Sequence, residues 1–375
     1  MDDIKDTNFS SIKNKFKNEK VVPLAAFKKI EIENVSAVQQ RKIDWMWKDI
    51  IAYGKMTLFA GEPGVGKSQL LLYIASIVSN GGRFHQENKL CAKNRVLLIS
   101  GEDNADDTIK PRLMALGADL LAIDYVKGIK QTDKNGNDYY DTICIIEDLV
   151  DIEKKIIENS YKLIIIDPIS MYLGSVDENK NKEIRSALGR LTALAERHNL
   201  SIILNSHFSK PSSGGAKNAV YRVMGSIGFA AAARIVFGVM KDPEDAERRL
   251  FLPIKNNIGQ DKDGFVYKIK PVLVDGSIET SKVEWFNEKV TLTANEVLNN
   301  GAESKASPRL EDAKDLLIEM LKFGGAYLCD ILKEAKKRKI SVDRIYLAKD
   351  VLKIYEDPGC FGKKKKRWML SPDSP

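Results

Sequence analysis

Gly61-Glu62-Pro63-Gly64-Val65-Gly66-Lys67-Ser68 satisfies G-x-x-x-x-G-K-[ST] at every fixed position. Its glycines let backbone N–H groups converge on phosphate oxygens with no Cβ in the way. A helix starting at its end would turn its positive pole to the same anion. Lys67 is the candidate for the β- and γ-phosphates, and the Ser68 hydroxyl is the candidate Mg²⁺ ligand. All eight residues from Gly61 to Ser68 are candidate nucleotide contacts. A glycine-rich strand–helix turn without a ligand is the alternative, and it leaves the lysine and the serine unexplained.

The flanking sequence supplies the context this loop needs. Before it runs Met56-Thr57-Leu58-Phe59-Ala60, and after it an amphipathic stretch over Ser68–Ser79. Further apolar runs follow at Val96–Ile99, Leu163–Ile166 and Ser201–Leu204, with helical patterns at Asp106–Leu116, Asp148–Asn159 and Lys182–His198 between them. Continuous apolar runs suit strands buried on both faces. Their alternation with helices predicts an α/β core with a mostly parallel twisted sheet flanked by helices. Asp167 ends the third run and is a candidate Mg²⁺-associated carboxylate, or else a cap before Pro168. Glu102 follows the second run, where the C-terminal end of a parallel strand faces the ligand crevice. It is placed to orient or deprotonate an attacking water; the alternative is a cap for the helix near Asp106, and Asp103 beside it is a weaker substitute. Asn135-Gly136 predicts a hairpin turn. Ile235–Met240, Arg249–Ile254 and Phe265–Ile269 read as later strands of an antiparallel edge.

The chain has 375 residues, 43% of them hydrophobic and 30% charged, which excludes disordered and collagen-like classes. Nothing near the N-terminus reads as a secretory signal. No apolar run approaches the roughly 18 residues of a membrane span, so no membrane association is expected. The four cysteines have no metal-ligand spacing and read as reduced thiols, so a cytoplasmic location is expected. The formal charge of +7 is mild, but almost all of the excess falls between Lys305 and Leu370. In that stretch two helical patterns, Leu310–Lys322 and Tyr327–Lys339, precede a third capped by Ser341. Ile354-Tyr355-Glu356 then pairs with Arg367-Trp368-Met369-Leu370 in a hairpin whose tip holds Lys363, Lys364, Lys365 and Lys366. Three helices and a basic hairpin resemble a winged helix-turn-helix. Arg344 and Lys349 on the third helix, with Lys363–Arg367 on the wing, are its candidate contacts to duplex DNA. Leu347 on the same helix suits a protein contact instead.

An ordered set of segments carries a wider resemblance. It comprises Gly54-Lys55-Met56-Thr57-Leu58 before the phosphate loop, Ile99-Ser100-Gly101-Glu102-Asp103, Ile165-Ile166-Asp167-Pro168, and Leu204-Asn205-Ser206-His207-Phe208-Ser209-Lys210. Gly225-Ser226, Ala231-Ala232-Ala233-Arg234 and Leu252-Pro253-Ile254-Lys255-Asn256-Asn257 complete it. Over roughly residues 40–275 the chain resembles the RecA-like ATPases of the RepA type, the hexameric replicative helicases of plasmids and phages. The resemblance implies ATP and Mg²⁺ as ligands, with Glu102 as catalytic base, Asp167 at the metal and His207 as γ-phosphate sensor. It also implies Arg234 as an arginine finger acting on a neighbouring subunit's nucleotide, with Lys255 beside it; the arginine often found two positions on is Asn257 here. The segment 209–218 matches the loop that lines the central channel. Lys210, Lys217 and Arg222 are then candidate contacts to single-stranded DNA.

The expected organisation is an N-terminal arm over 1–40, a RecA-like ATPase domain over 41–298, a linker over 299–308 and a small winged-helix domain over 309–371. The expected activity is that of an ATP-hydrolysing DNA motor, a helicase working as a homo-oligomeric ring. Two other readings stay open: a DNA-stimulated recombination or repair ATPase that does not unwind, and a nucleotide-gated DNA-binding regulator. Trp45 and Trp47 pack either beneath the loop or against a partner.

Overall fold

The structure is a computed structural model that describes residues 30–174, 176, 180–209, 219–223, 227–260, 263–290, 292–304, 310–322, 324–338, 340–357 and 366–370. The chain divides into two compact units, Met1–Ile43 and Asp44–Pro375. In the first, Val35–Ala37 form a single 3-10 turn whose Asn34 side chain accepts from Ser36 N, and Ile30, Ile32 and Val35 are exposed.

The second unit opens with a short antiparallel pair, β1 (Trp45–Trp47) and β2 (Ile51–Ala52), before β3 (Met56–Gly61) and α1 (Lys67–Asn80). Next come β4 (Arg95–Ser100), α2 (Lys110–Ala115), β5 (Ile123–Tyr125), and a hairpin of β6 (Ile129–Thr132) and β7 (Asp138–Asp141) turning through Asn135-Gly136 as expected. They lead to α3 (Leu149–Asn159), β8 (Tyr161–Asp167), α4 (Asn181–His198) and β9 (Ser201–His207). Two short helices, α5 (Ala219–Arg222) and α6 (Ile227–Ala232), precede β10 (Ile235–Lys241), β11 (Arg248–Asn256), β12 (Gly264–Val274), β13 (Ile278–Val290) and α7 (Ala294–Ser304). The last elements are α8 (Leu310–Leu321), β14 (Ala326–Tyr327), α9 (Leu328–Lys337), α10 (Val342–Val351), β15 (Tyr355–Glu356) and β16 (Arg367–Met369).

Nine strands form the central sheet in the order β13-β12-β11-β10-β3-β9-β8-β4-β5. From β10 to β5 every pair is parallel; from β10 to β13 every pair is antiparallel. Alternate residues of each inner strand feed opposite faces, as a period of two requires. Leu58, Ile164, Ile166, Ile202 and Leu204 pack with α3, α4 and α6 on one side. Phe59, Leu163, Ile165, Ile203 and Phe237 pack with α1 and α2 on the other. Both faces are therefore covered, which explains why the inner strands read as unbroken apolar runs.

Three expectations need correction or extension. The linker expected over 299–308 is helical as far as Ser304, because α7 is anchored by Ala294 and Val297 in the main core; residues 305–309 lie outside the described residues. β13 extends the antiparallel edge by a long strand beyond the three expected there. Trp47 is buried, with its ring stacked 4.7 Å from Phe84, so it belongs to the core on the α1 face.

The C-terminal elements have a core of their own, centred on Leu316, Leu317, Ile331, Ile345 and Trp368. Their three helices accompany a three-stranded antiparallel sheet in the order β14-β16-β15. Ser341 caps α10 as expected, its hydroxyl accepting from Arg344 N at 3.4 Å.

Candidate functional site

The sheet is built so that one of its ends gathers the candidate residues. β3, β4, β8 and β9 are parallel, and register sets Gly61 beside His207 and Ser100 beside Asp167. The chain reverses its direction of progress across the sheet at β3, since β4, β8 and β9 lie to one side and β10 to the other. A crevice at the carboxyl ends of the strands is where ligands bind in such sheets.

The phosphate loop bridges β3 and α1 and is held from outside by residues with no sequence signal. Arg249 Nε donates to Val65 O at 3.1 Å, and Tyr267 Oη donates to Gly66 O at 3.3 Å. Gln69 Nε2 donates to Ser281 Oγ at 2.5 Å, tying the first turn of α1 to β13. The glycines are required locally. Gly66 has φ +98, and a Cβ on it would lie 2.5 Å from Ile269 Cδ1. A Cβ on Gly61 would run into the carbonyl of Val239.

Lys67 opens α1 and is buried, with 4% exposure. Its Nζ donates to Gly61 O at 3.0 Å and Glu62 O at 2.9 Å, and lies 3.3 Å from His207 Nδ1. Burial lowers its pKa to about 8, with Asp167, Glu102 and Glu62 opposing the shift. Asp167 at the end of β8 is also buried, and its carboxylate accepts from Asn205 Nδ2 and the Ser68 hydroxyl. Desolvation pushes its pKa up, the two hydrogen bonds oppose this, and the nearby Glu102 charge adds to the rise. Asp167 therefore faces the loop and is no cap for the short 3-10 turn that follows. Glu102 is half-exposed, 3.6 Å from His207 Nε2, an ion pair only when that imidazole is protonated. It is not the helix cap either, since Asn104 occupies that position. Asp103 is engaged by Arg112 Nη1 at 2.7 Å.

These residues fit a Mg²⁺-bound nucleoside triphosphate. A buried carboxylate and a hydroxyl meet at the start of a helix, and Asn205 Oδ1 is buried without a hydrogen-bond partner among the described residues. Mg²⁺ typically takes one or two carboxylates and leaves its other positions to phosphates and water.

Other candidates lie elsewhere. Arg234 is exposed and precedes Ile235, which pairs with Thr57 at the start of β3. At about 3.3 Å per residue this sets it roughly 16 Å along the sheet from Gly61. Lys255 pairs with Val236 at that same far end, so it is no contact to this chain's own nucleotide. Its Nζ donates to Ala230 O at 2.7 Å and Ala233 O at 2.8 Å, satisfying carbonyls left open at the end of α6. Arg222, expected to face DNA, packs back on the site: its guanidinium lies 5.5 Å from the Phe208 ring centroid and 3.8 Å from Glu62 Oε1. Lys210 and Lys217 lie outside the described residues.

In the C-terminal elements Lys349 lies over the Trp368 ring at 5.1 Å and 3.6 Å from Glu356 Oε1. It is thus drawn inward rather than projected from α10. Arg344 is half-buried on that helix, while Tyr346, Leu347 and Val351 are exposed. Lys366 pairs with Glu356 at 3.1 Å, and Arg367 Nε donates to Gly325 O at 3.1 Å. Lys363, Lys364 and Lys365 lie outside the described residues. Among the described residues no helix is long and apolar enough to cross a membrane.

A family model described as an AAA domain matches residues 22–213, which span the phosphate loop, Glu102, Asp167 and His207. No curated protein matches the chain.

Proposed function

Because this chain belongs to the AAA-domain family of P-loop ATPases, we propose that its ATP hydrolysis drives a DNA motor, a ring-forming helicase of the RepA type that translocates on single-stranded DNA. The observation that carries this reading is the meeting of Lys67, Ser68, Glu102, Asp167 and His207 at one end of the parallel sheet, with Arg234 exposed at the other. The loop amides and Lys67 bind the triphosphate. Ser68 and Asp167 hold Mg²⁺, which supplies neutralisation of phosphate charge when bound. Glu102 orients a water for in-line attack on the γ-phosphorus and accepts its proton, while the bond to the β-phosphate oxygen breaks to leave ADP and phosphate. His207 touches both Lys67 and Glu102, so it can report the terminal phosphate to the segment that follows β9. Arg234 has no access to its own chain's phosphates and acts on a neighbour's, where it offsets the charge of the transferring group.

In this reading 41–298 is the motor, assembled as a hexameric homo-oligomer, and 309–371 is a winged helix-turn-helix. The exposed Tyr346, Leu347 and Val351 on α10 favour docking of that module to protein over insertion in a duplex groove. The deciding experiment measures ATP turnover with and without single-stranded DNA, and strand displacement on a forked duplex. Stimulated turnover with displacement supports the motor. Stimulation without displacement moves the protein to the non-unwinding recombination or repair class. Turnover indifferent to DNA favours the nucleotide-gated regulator.

A further inference from the structure

Arg222 closes α5, just after the segment that follows β9, and the chain there is folded back tightly. Phe208 and Val223 form an antiparallel bridge, and Ser209 N donates to Arg222 O at 2.6 Å. The side chain is 12% exposed. Its guanidinium covers the Phe208 ring, Nη2 reaches Ser209 O at 3.5 Å, and Nε is buried with no hydrogen-bond partner among the described residues. Among the described residues a charged neighbour is Glu62, at 3.8 Å.

Glu62 is the second residue of the phosphate loop and its side chain is 69% exposed. A carboxylate is out of place in a loop whose amides converge to receive an anion. Unpaired, it would repel an incoming triphosphate. Its carbonyl is meanwhile a partner of Lys67 Nζ at 2.9 Å. The loop's cation and its carboxylate are thus each engaged within the chain, one by backbone and the other by Arg222. A long, loosely held contact of 3.8 Å to an exposed group is easily exchanged, whereas guanidinium and phosphate form a charge-assisted pair with matched geometry.

We propose that Arg222 is a nucleotide-binding residue of its own chain, whose contact with Glu62 exchanges for one with the terminal phosphate of a bound triphosphate. This rests on the ATPase reading above and removes Arg222 from the set of DNA contacts. Its guanidinium lies over Phe208, the residue after the His207 that sits against the Lys67 ammonium, which places it toward the terminal rather than the inner phosphates.

The test is calorimetric binding of Mg²⁺–ATPγS and Mg²⁺–ADP to the full chain. Wild-type protein binding neither nucleotide would sink the ATPase reading itself. With both bound by wild type, Arg222→Gln is expected to weaken ATPγS by about tenfold or more while leaving ADP within about twofold. Glu62→Gln, at an exposed position that does not threaten folding, is expected to tighten ATPγS a few-fold more than ADP. Equal effects on the two nucleotides, or none, would overturn the proposal. So would an Arg222→Gln protein that loses single-stranded DNA binding with its ATPγS affinity unchanged.

Discussion

Raising the pH from 7 to 9 should weaken binding of a Mg²⁺-bound triphosphate about tenfold, through Lys67 alone. Burial brings this ammonium down to about pH 8. In the empty site it is therefore roughly nine-tenths charged at pH 7 and one-tenth charged at pH 9. A triphosphate beside it supplies far more negative charge than Asp167, Glu102 and Glu62 do, and lifts its pKa above the working range. Binding must then recharge the amine, and the ratio of neutral to charged forms works out as about tenfold, near 1.4 kcal/mol. Few other groups confuse the window: Cys91 is pushed up to about 11, and Tyr53, Tyr73 and Tyr161 to about 12. Calorimetry in buffers of different ionisation enthalpy counts the protons. Uptake should approach one per site at pH 9 and be near one-tenth at pH 7. Affinity that stays flat over this range, or proton release at pH 9, would refute the argument that a desolvated, neutralisable lysine guards the loop.

Gly66→Ala should abolish nucleotide binding, because φ +98 strains any Cβ and Ile269 stands in its path; adding Ile269→Ala relieves the clash and not the strain, so titration of the double variant should still show no binding. Glu102→Gln should cut turnover by about 10²–10⁴-fold with little change in nucleotide affinity, and single-turnover hydrolysis checks it. Lys67→Ala and Arg234→Ala proteins, each inactive alone, should recover turnover when mixed, since random assembly sets an intact loop beside an intact finger at roughly a quarter of interfaces; a silent mixture would argue against action on a neighbour. Trp368→Ala empties the centre of the C-terminal core and should cost about 3–5 kcal/mol, seen as faster hydrogen exchange in α8–α10 with α1 unaffected.

The buried half of the sheet was legible because its physics is local. β3, β4, β8 and β9 are covered on both faces, so each is an apolar run that announces itself, and the residues just past their ends follow from strand polarity. β13 was illegible for the converse reason: Ile278–Val290 is largely half-buried and mixes Glu279, Lys282 and Glu284 with Val283 and Trp285. Lys255 illustrates a different gap. Motif order places it after β10, but which end of the sheet it occupies depends on the antiparallel return of β11, a long-range pairing. Arg222 was read by its charge within a basic segment, whereas its place is set by the backbone bridge from Phe208 to Val223. Arg249, Tyr267 and Ser281 brace the phosphate loop from strands some 180 or more residues downstream, and nothing nearby in sequence marks them for that task.

The polarity of the sheet has a consequence for symmetry. If Arg234 serves a neighbouring loop, each copy gives from one end of its strands and receives at the other. Those ends are different surfaces roughly 16 Å apart, so a two-fold pair, which joins like patch to like patch, would not fill both. Copies must instead follow one another in the same sense, and the turn made at each step decides between a closed ring and an open helix. Every copy in a closed ring is then catalytically complete. An open run leaves one terminal copy with a phosphate loop that no finger reaches, and another whose finger has nothing to serve.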